Sequence, residues 1–116
     1  MDAATIVNRS VLLVRAKEPV REWLTRVFPG EPAPLLDELN VDCSAYLVPE
    51  TEVDRDHAAV LRIAFSTIFE YELAEWCTDP DTWPDVHDRA LFDQWFECQF
   101  HCVVTDLAPG LIGPFT

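Results

Sequence analysis

Between Asn8 and Ala16 the side chains alternate so that Ser10, Leu12, Val14 and Ala16 share one face of a strand and Val11 and Leu13 the other. Apolar residues on both faces predict a central strand covered on both sides. Pro19 stands where a helix begins, because the first turn makes no use of its missing N–H. Val20, Trp23, Leu24 and Val27 then recur at i, i+3, i+4 and i+7, the stripe of an amphipathic helix. Phe28-Pro29-Gly30 ends that helix, a Pro-rich loop runs to Pro34, and residues 35–39 allow one or two helical turns.

Residues 43–48 read as a second strand, stopped by Pro49. The polar stretch 50–56 leads into the longest predicted helix, Asp54 to Trp76, whose acidic start complements the helix dipole. Its buried stripe is expected at Leu61, Phe65, Ile68, Phe69, Leu73 and Trp76. A turn with two prolines covers 78–84, and a shorter helix from about Asp85 buries Leu91, Phe92 and Trp95. The last strand is predicted over 96–107, with Phe96, Cys98, Phe100, Cys102 and Val104 facing away from Glu97, Gln99, His101 and Thr105.

The order is β-α-β-α-α-β in one domain over residues 1–116, with 1–7 and 108–116 as loose ends. The expected architecture is a small three-stranded sheet with helices packed on it. The first β-α-β unit is expected to be parallel with a right-handed crossover, and the direction of the third strand stays open. The fold class is α/β, with α+β as the alternative.

Composition supports a packed domain: 49% of the 116 residues are hydrophobic and four are tryptophan, enough for a core without disulfide or metal staples. The longest aliphatic run, Val11 to Val14, is far below the ~20 residues of a membrane span. The first residues lack the basic and apolar segments of a secretory leader. The expected location is therefore the cytoplasm, with the four cysteines reduced.

Charge changes the picture more than composition does. The net charge is −13 and the pI about 4.3. Fourteen carboxylates but only three arginines lie between residues 50 and 106, whereas the first 49 residues hold seven carboxylates and five basic side chains. Such a surface argues against nucleic acid, anionic membrane or nucleotide phosphate as the ligand. It favours a basic partner.

The familiar chemical motifs are absent. On a strand, Cys98 and Cys102 stand roughly 13 Å apart at ~3.3 Å per residue, too far for a disulfide or a shared metal ion, and both are expected as small core residues. The acids Glu50, Glu52, Asp54 and Asp56 resemble the opening of a calcium loop, but its glycine and closing glutamate positions hold His57 and Ile63. Asp79, Asp81 and Asp85 fail the same test at Trp83. None of the three glycines has the spacing of a phosphate loop, and no serine sits in a nucleophile elbow. His57, His87 and His101 are isolated and read as surface or structural residues. Neither a metal nor a cofactor is assigned, and no residue is assigned as catalytic.

Two features remain. Glu72 and Glu75 lie at i, i+3 on one helix, where partial burial would split their proton affinities. Trp76 and Trp83 bracket an acidic turn, and exposed aromatics ringed by carboxylates suit a cationic ligand. Core packing would account for most of the tryptophans, with Trp83 the exception because it lies in a turn. The candidate binding residues are Trp83, Glu72, Glu75, Asp79, Asp81 and Asp85.

The chain resembles a group of small acidic bacterial proteins of unassigned activity. The resemblance rests on 8–15 (Asn-Arg-Ser-Val-Leu-Leu-Val-Arg), Trp23-Leu24, 46–50 (Tyr-Leu-Val-Pro-Glu), 68–76 (Ile-Phe-Glu-Tyr-Glu-Leu-Ala-Glu-Trp), Trp83-Pro84 and Trp95-Phe96. It implies a free-standing domain and assigns no chemistry. The leading expectation is a non-catalytic acidic module that holds a basic protein, in the manner of an inhibitor or immunity protein. The alternatives are a small carboxylate-based or metal-dependent hydrolase using Glu72, Glu75 and a histidine, and a homodimer pairing through a sheet edge.

Overall fold

The computed structural model describes residues 4–115. The elements in chain order are β1 (Thr5–Ile6), β2 (Arg9–Ala16), α1 (Glu18–Val27), α2 (Leu36–Leu39), β3 (Ser44–Pro49), α3 (Asp54–Ala74), α4 (Arg89–Trp95), β4 (Phe96–His101) and β5 (Thr105–Asp106), with a 3₁₀ turn at Pro80–Thr82 before α4. The protein is α/β, with helices packed on one face of a three-stranded sheet ordered β3-β2-β4.

Both neighbours run antiparallel to β2, so the expected parallel β-α-β unit does not form. The register shows why. Val14 pairs with Ser44, so β3 starts beside the end of β2 rather than beside its beginning. Helix α1 leads away from that end, and the Pro-rich loop with α2 brings the chain back to it. Asn40 fixes the return: its Oδ1 accepts the Ala16 N–H at 2.8 Å and its Nδ2 donates to the Ala16 carbonyl at 3.0 Å. One side chain thereby satisfies both backbone groups of the residue that ends β2.

The core holds Leu12 and Val14 of β2, Val48 of β3 and Phe96 of β4, against Val20, Trp23 and Leu24 of α1, Ile68, Phe69 and Leu73 of α3, and Phe92 and Trp95 of α4. Its centre is aromatic. The Phe69 ring meets Phe92, Trp95 and Phe96 at centroid distances of 5.8, 5.6 and 5.4 Å, in edge-on or tilted contacts that suit the ring quadrupoles. Of the predicted stripe of α1, Val20, Trp23 and Leu24 are buried, whereas Val27 at its end is only half-buried.

Several expectations about β2 and the ends of the chain are corrected. The sheet is covered on one face only: Val11 and Leu13 are half-buried, and Leu47 opposite Val11 is 54% exposed. The last strand stops at His101, and Thr105–Asp106 leaves the main sheet to pair antiparallel with Thr5–Ile6. Part of the expected loose N-terminal segment is therefore a strand, while Leu107 to Phe115 forms no helix or strand. Helix α4 begins at Arg89 instead of Asp85, capped by Asp88, whose carboxylate accepts the Leu91 N–H at 3.2 Å.

Candidate functional site

Helix α3 ends at Ala74, two residues before the pattern predicts. The N–H groups of Trp76 and Cys77 both turn back to the Leu73 carbonyl, at 3.0 and 2.9 Å. Trp76 therefore leaves the buried stripe and is 42% exposed, which corrects its expected place in the core. The segment that follows is fixed from below by two indoles. Trp23 Nε1–H donates to the Thr82 carbonyl at 2.8 Å, and Trp83 Nε1–H donates to the Cys77 carbonyl at 2.9 Å.

Trp83 is thus a half-buried ring packed on the core, not the exposed exception its turn position suggested. Asp79, Asp81 and Asp85 are exposed. Asp79 accepts the Asp81 N–H at 3.0 Å and Asp85 accepts the His87 N–H at 3.0 Å, so both carboxylates shape local turns. These four residues line none of the clefts that Glu72 and Glu75 line.

Glu72 and Glu75 border a chain of three adjoining clefts. An open hollow of about 610 Å³ lies over Tyr46 and Tyr71 and is walled by Asp42, Ser44 and Glu75. A narrow cavity of about 40 Å³ shares Asp42, Cys43, Ser44 and Glu75 with it and reaches Glu72 and Trp76. Trp76 is also the wall of a third groove, about 290 Å³, lined by Leu24, Phe28, Glu31, Pro32 and Pro34. The result is a strip holding four carboxylates (Glu31, Asp42, Glu72, Glu75) and five aromatic rings (Phe28, Tyr46, Tyr71, Trp76 and the buried Phe96), with no lysine, arginine or histidine among the described residues of its linings.

Glu72 is the most perturbed carboxylate of the strip. Burial raises its proton affinity, and the charge of Glu75 adds to the rise, while hydrogen bonds from the Ser44 and Tyr46 hydroxyls oppose it. Tyr46 donates its phenolic proton to Glu72 Oε2, and burial followed by that contact raises the phenol well above its usual range. A cation entering the strip would lie against a partly desolvated acid flanked by a second, exposed one. Screening is weaker there than on an open surface.

Sequence reasoning found Glu72 and Glu75 but missed Tyr71 of the same helix, together with Phe28, Glu31, Asp42 and Tyr46, which come from the end of α1, the Pro-rich loop and the approach to and first half of β3. The alternation of Ser44, Tyr46 and Val48 was readable and puts Tyr46 on the helix-covered face. What the sequence did not contain was the return of β3 to the end of β2, which sets that face beside the C-terminal turn of α3.

The remaining chemistry-bearing residues lie elsewhere. His87 Nδ1 is 3.0 Å from Ser66 Oγ, His57 stacks on Phe100, and His101 lies on the exposed face of β4. Among the described residues no group of three or more His, Cys, Asp or Glu is arranged to hold a metal ion, and no helix is long and apolar enough to cross a membrane. Cys98 is half-buried in β4, but Cys102 lies beyond the strand and is exposed, contrary to its expected place in the core. A further cavity, about 910 Å³, opens between β1, β5 and the C-terminal tail; it is mainly apolar, and among the described residues Arg9 and Asp106 are the charged ones that line it. No protein-family model matches the chain, and no curated protein or solved structure matches it either.

Proposed function

We propose that this protein is a non-catalytic binding module that captures an arginine- or lysine-bearing segment of a basic protein along the strip from Tyr46 to Phe28. The observation that carries the reading is the strip's composition: four carboxylates and five aromatic rings line adjoining clefts, and no lysine, arginine or histidine is among their described lining residues. Arg21 borders the third cleft, its Nε donating to the Pro34 carbonyl at 2.6 Å. A guanidinium can stack on Trp76 while Glu75 or Glu31 accepts its N–H groups. An exposed cation–π contact contributes ~0.5–1 kcal/mol and a charge-assisted hydrogen bond ~1.5–3 kcal/mol. Ion pairing inside the protein leaves these acids available: among the described residues, the lysine or arginine ion pairs reach only Glu18 and Asp93.

An inhibitory or immunity-type role follows if the captured segment is the partner's own functional surface. The reading places the protein in the cytoplasm, where its four unbridged cysteines suit a reducing environment. The hydrolase alternative needs a histidine beside Glu72, and none lines the strip. Self-association is a second reading, favoured by the uncovered face of the sheet, on which Leu47 of the edge strand β3 is exposed. Sedimentation over a range of concentrations distinguishes a dimer from a monomer.

The test of the main reading compares two triple variants with the same change in net charge. One is Glu31→Gln/Asp42→Asn/Glu75→Gln in the strip; the other is Asp79→Asn/Asp81→Asn/Asp85→Asn in the turns. Each is titrated against a fluorescently labelled arginine-rich peptide at low and moderate salt. The strip variant is expected to lose about tenfold or more in affinity and the turn variant less than about threefold, since each 1.4 kcal/mol is tenfold. Equal losses would make the attraction a matter of net charge and remove the site.

A further inference from the structure

At the other end of the sheet, beside Ser10 and far along β2 from the strip, the structure brings a thiol 45 residues away in the sequence to an imidazole and a carboxylate of the first turn of α3. Cys102 Sγ lies 3.7 Å from His57 Nε2 and 3.6 Å from Thr51 Oγ1. His57 stands in the first turn of α3, its ring stacked flat on Phe100 at a centroid distance of 4.0 Å and an interplanar angle of 1°. Its other nitrogen, Nδ1, is 3.9 Å from Asp54 Oδ1.

The support beneath these groups is buried and fully hydrogen-bonded. Ser10 Oγ donates to the Cys102 carbonyl at 3.2 Å and accepts from the Thr51 N–H at 2.9 Å and from Thr51 Oγ1 at 3.1 Å. Both Ser10 and Thr51 are buried, so the backbone on either side of the cluster is held in place. The other three thiols are half-buried, and burial pushes Cys98 up to about 11. A nucleophile within reach of a base, with the base facing a third group, is the arrangement that activates a thiol.

We propose that Cys102 is a nucleophilic thiol, with His57 as its proton acceptor and Asp54 as a positioning residue, and that it exchanges with low-molecular-weight disulfides to become reversibly thiolated. The Cys102 S–H proton passes to His57 Nε2 as the sulfur attacks one sulfur of the disulfide. A new S–S bond forms, the disulfide's own S–S bond breaks, and the departing thiolate leaves with that proton as a free thiol. No other oxidant enters, and a second thiol reverses the reaction.

The probe is 4,4′-dithiodipyridine, a neutral disulfide, because the carboxylates Glu50, Glu52, Asp54 and Asp56 would repel an anionic one. The reaction is followed by release of the ultraviolet-absorbing thione, and the modified cysteine is located by peptide mass spectrometry. In the native chain Cys102 is expected to react first, and about tenfold or more faster than the same thiol in urea, toward the ~10²–10⁴ that a positioned base can supply. His57→Phe keeps a flat ring on Phe100 but removes both nitrogens, and should bring the rate down to that of the unfolded chain. Asp54→Asn should slow the reaction and Asp54→Glu restore it. The proposal fails if native Cys102 reacts no faster than in urea, or if a His57→Phe protein with unchanged circular dichroism keeps the full rate. If His57→Phe does not fold, His57→Gln takes its place under the same criteria.

Discussion

Replacing Trp23 with alanine tests the register of α1 against the sheet, on which the whole architecture depends. The side chain is 2% exposed, lies 6.4 Å from Trp95 between ring centroids, and donates Nε1–H to the Thr82 carbonyl. A tryptophan in such a site buries ~150–250 Å², which at ~25 cal/mol per Å² corresponds to ~4–6 kcal/mol. The methyl group that remains and some relaxation of the surroundings lower this, and large aromatic-to-alanine changes in cores cost ~3–5 kcal/mol. Domains of this kind are stable by ~5–15 kcal/mol, so Trp23→Ala should stand near the edge of folding.

Trp23→Phe separates the two contributions. It keeps most of the apolar area and loses the indole bond, and should cost ~1–2 kcal/mol. Urea unfolding at 25 °C followed by circular dichroism provides the assay. With a slope of ~1.5 kcal/mol per M, the alanine variant should unfold ~2–3 M earlier than the parent and the phenylalanine variant ~1 M earlier. A midpoint shift below ~0.5 M for Trp23→Ala would refute the placement of this ring between α1, α4 and the Thr82 turn.

Trp83→Ala should cost ~2–4 kcal/mol in the same assay, because the ring packs on the core and holds the Cys77 carbonyl; wild-type stability would return Trp83 to the surface. Asn40→Ala leaves both backbone groups of Ala16 without their partner, and should cost ~1–3 kcal/mol. An unchanged urea midpoint would show that water replaces the amide without loss. Glu72→Gln should raise the melting temperature at pH 7–8. The proton affinity of Glu72 is higher in the folded chain, so its protonated form stabilises the fold fully below the unfolded value, and that contribution is lost as pH rises through the folded value. The advantage of Glu72→Gln should therefore shrink on acidification and disappear once Glu72 is protonated in both states; a gain that stays constant with pH would contradict the burial of this acid.

The elements that were legible in the sequence are those whose periodicity answers to one buried face. Val20, Trp23 and Leu24 in α1, and Ile68, Phe69 and Leu73 in α3, are buried as their spacing requires. Val11 and Leu13 misled, because β-branched and leucine side chains on an open sheet face look the same as those on a covered one. Strand direction was illegible for a different reason: it is set by Asn40 reaching Ala16, a contact 24 residues apart that no local pattern encodes. The same distance hid the strip. Glu72 and Glu75 were identifiable on their helix, but Glu31 and Asp42 join them only because the loop after α1 returns to the end of β2.

The most direct measurement uses the four indole N–H resonances in a ¹H–¹⁵N spectrum, assigned by single Trp→Phe variants, during titration with an arginine-rich peptide. Trp23 and Trp83 have their N–H groups engaged by backbone carbonyls and lie outside the strip, whereas Trp76 forms the wall shared by two of its clefts. The account predicts that the Trp76 signal shifts saturably, that the other three move little, and that the shift weakens as salt is raised. A Trp76 signal that stays in place while the peptide binds would contradict it.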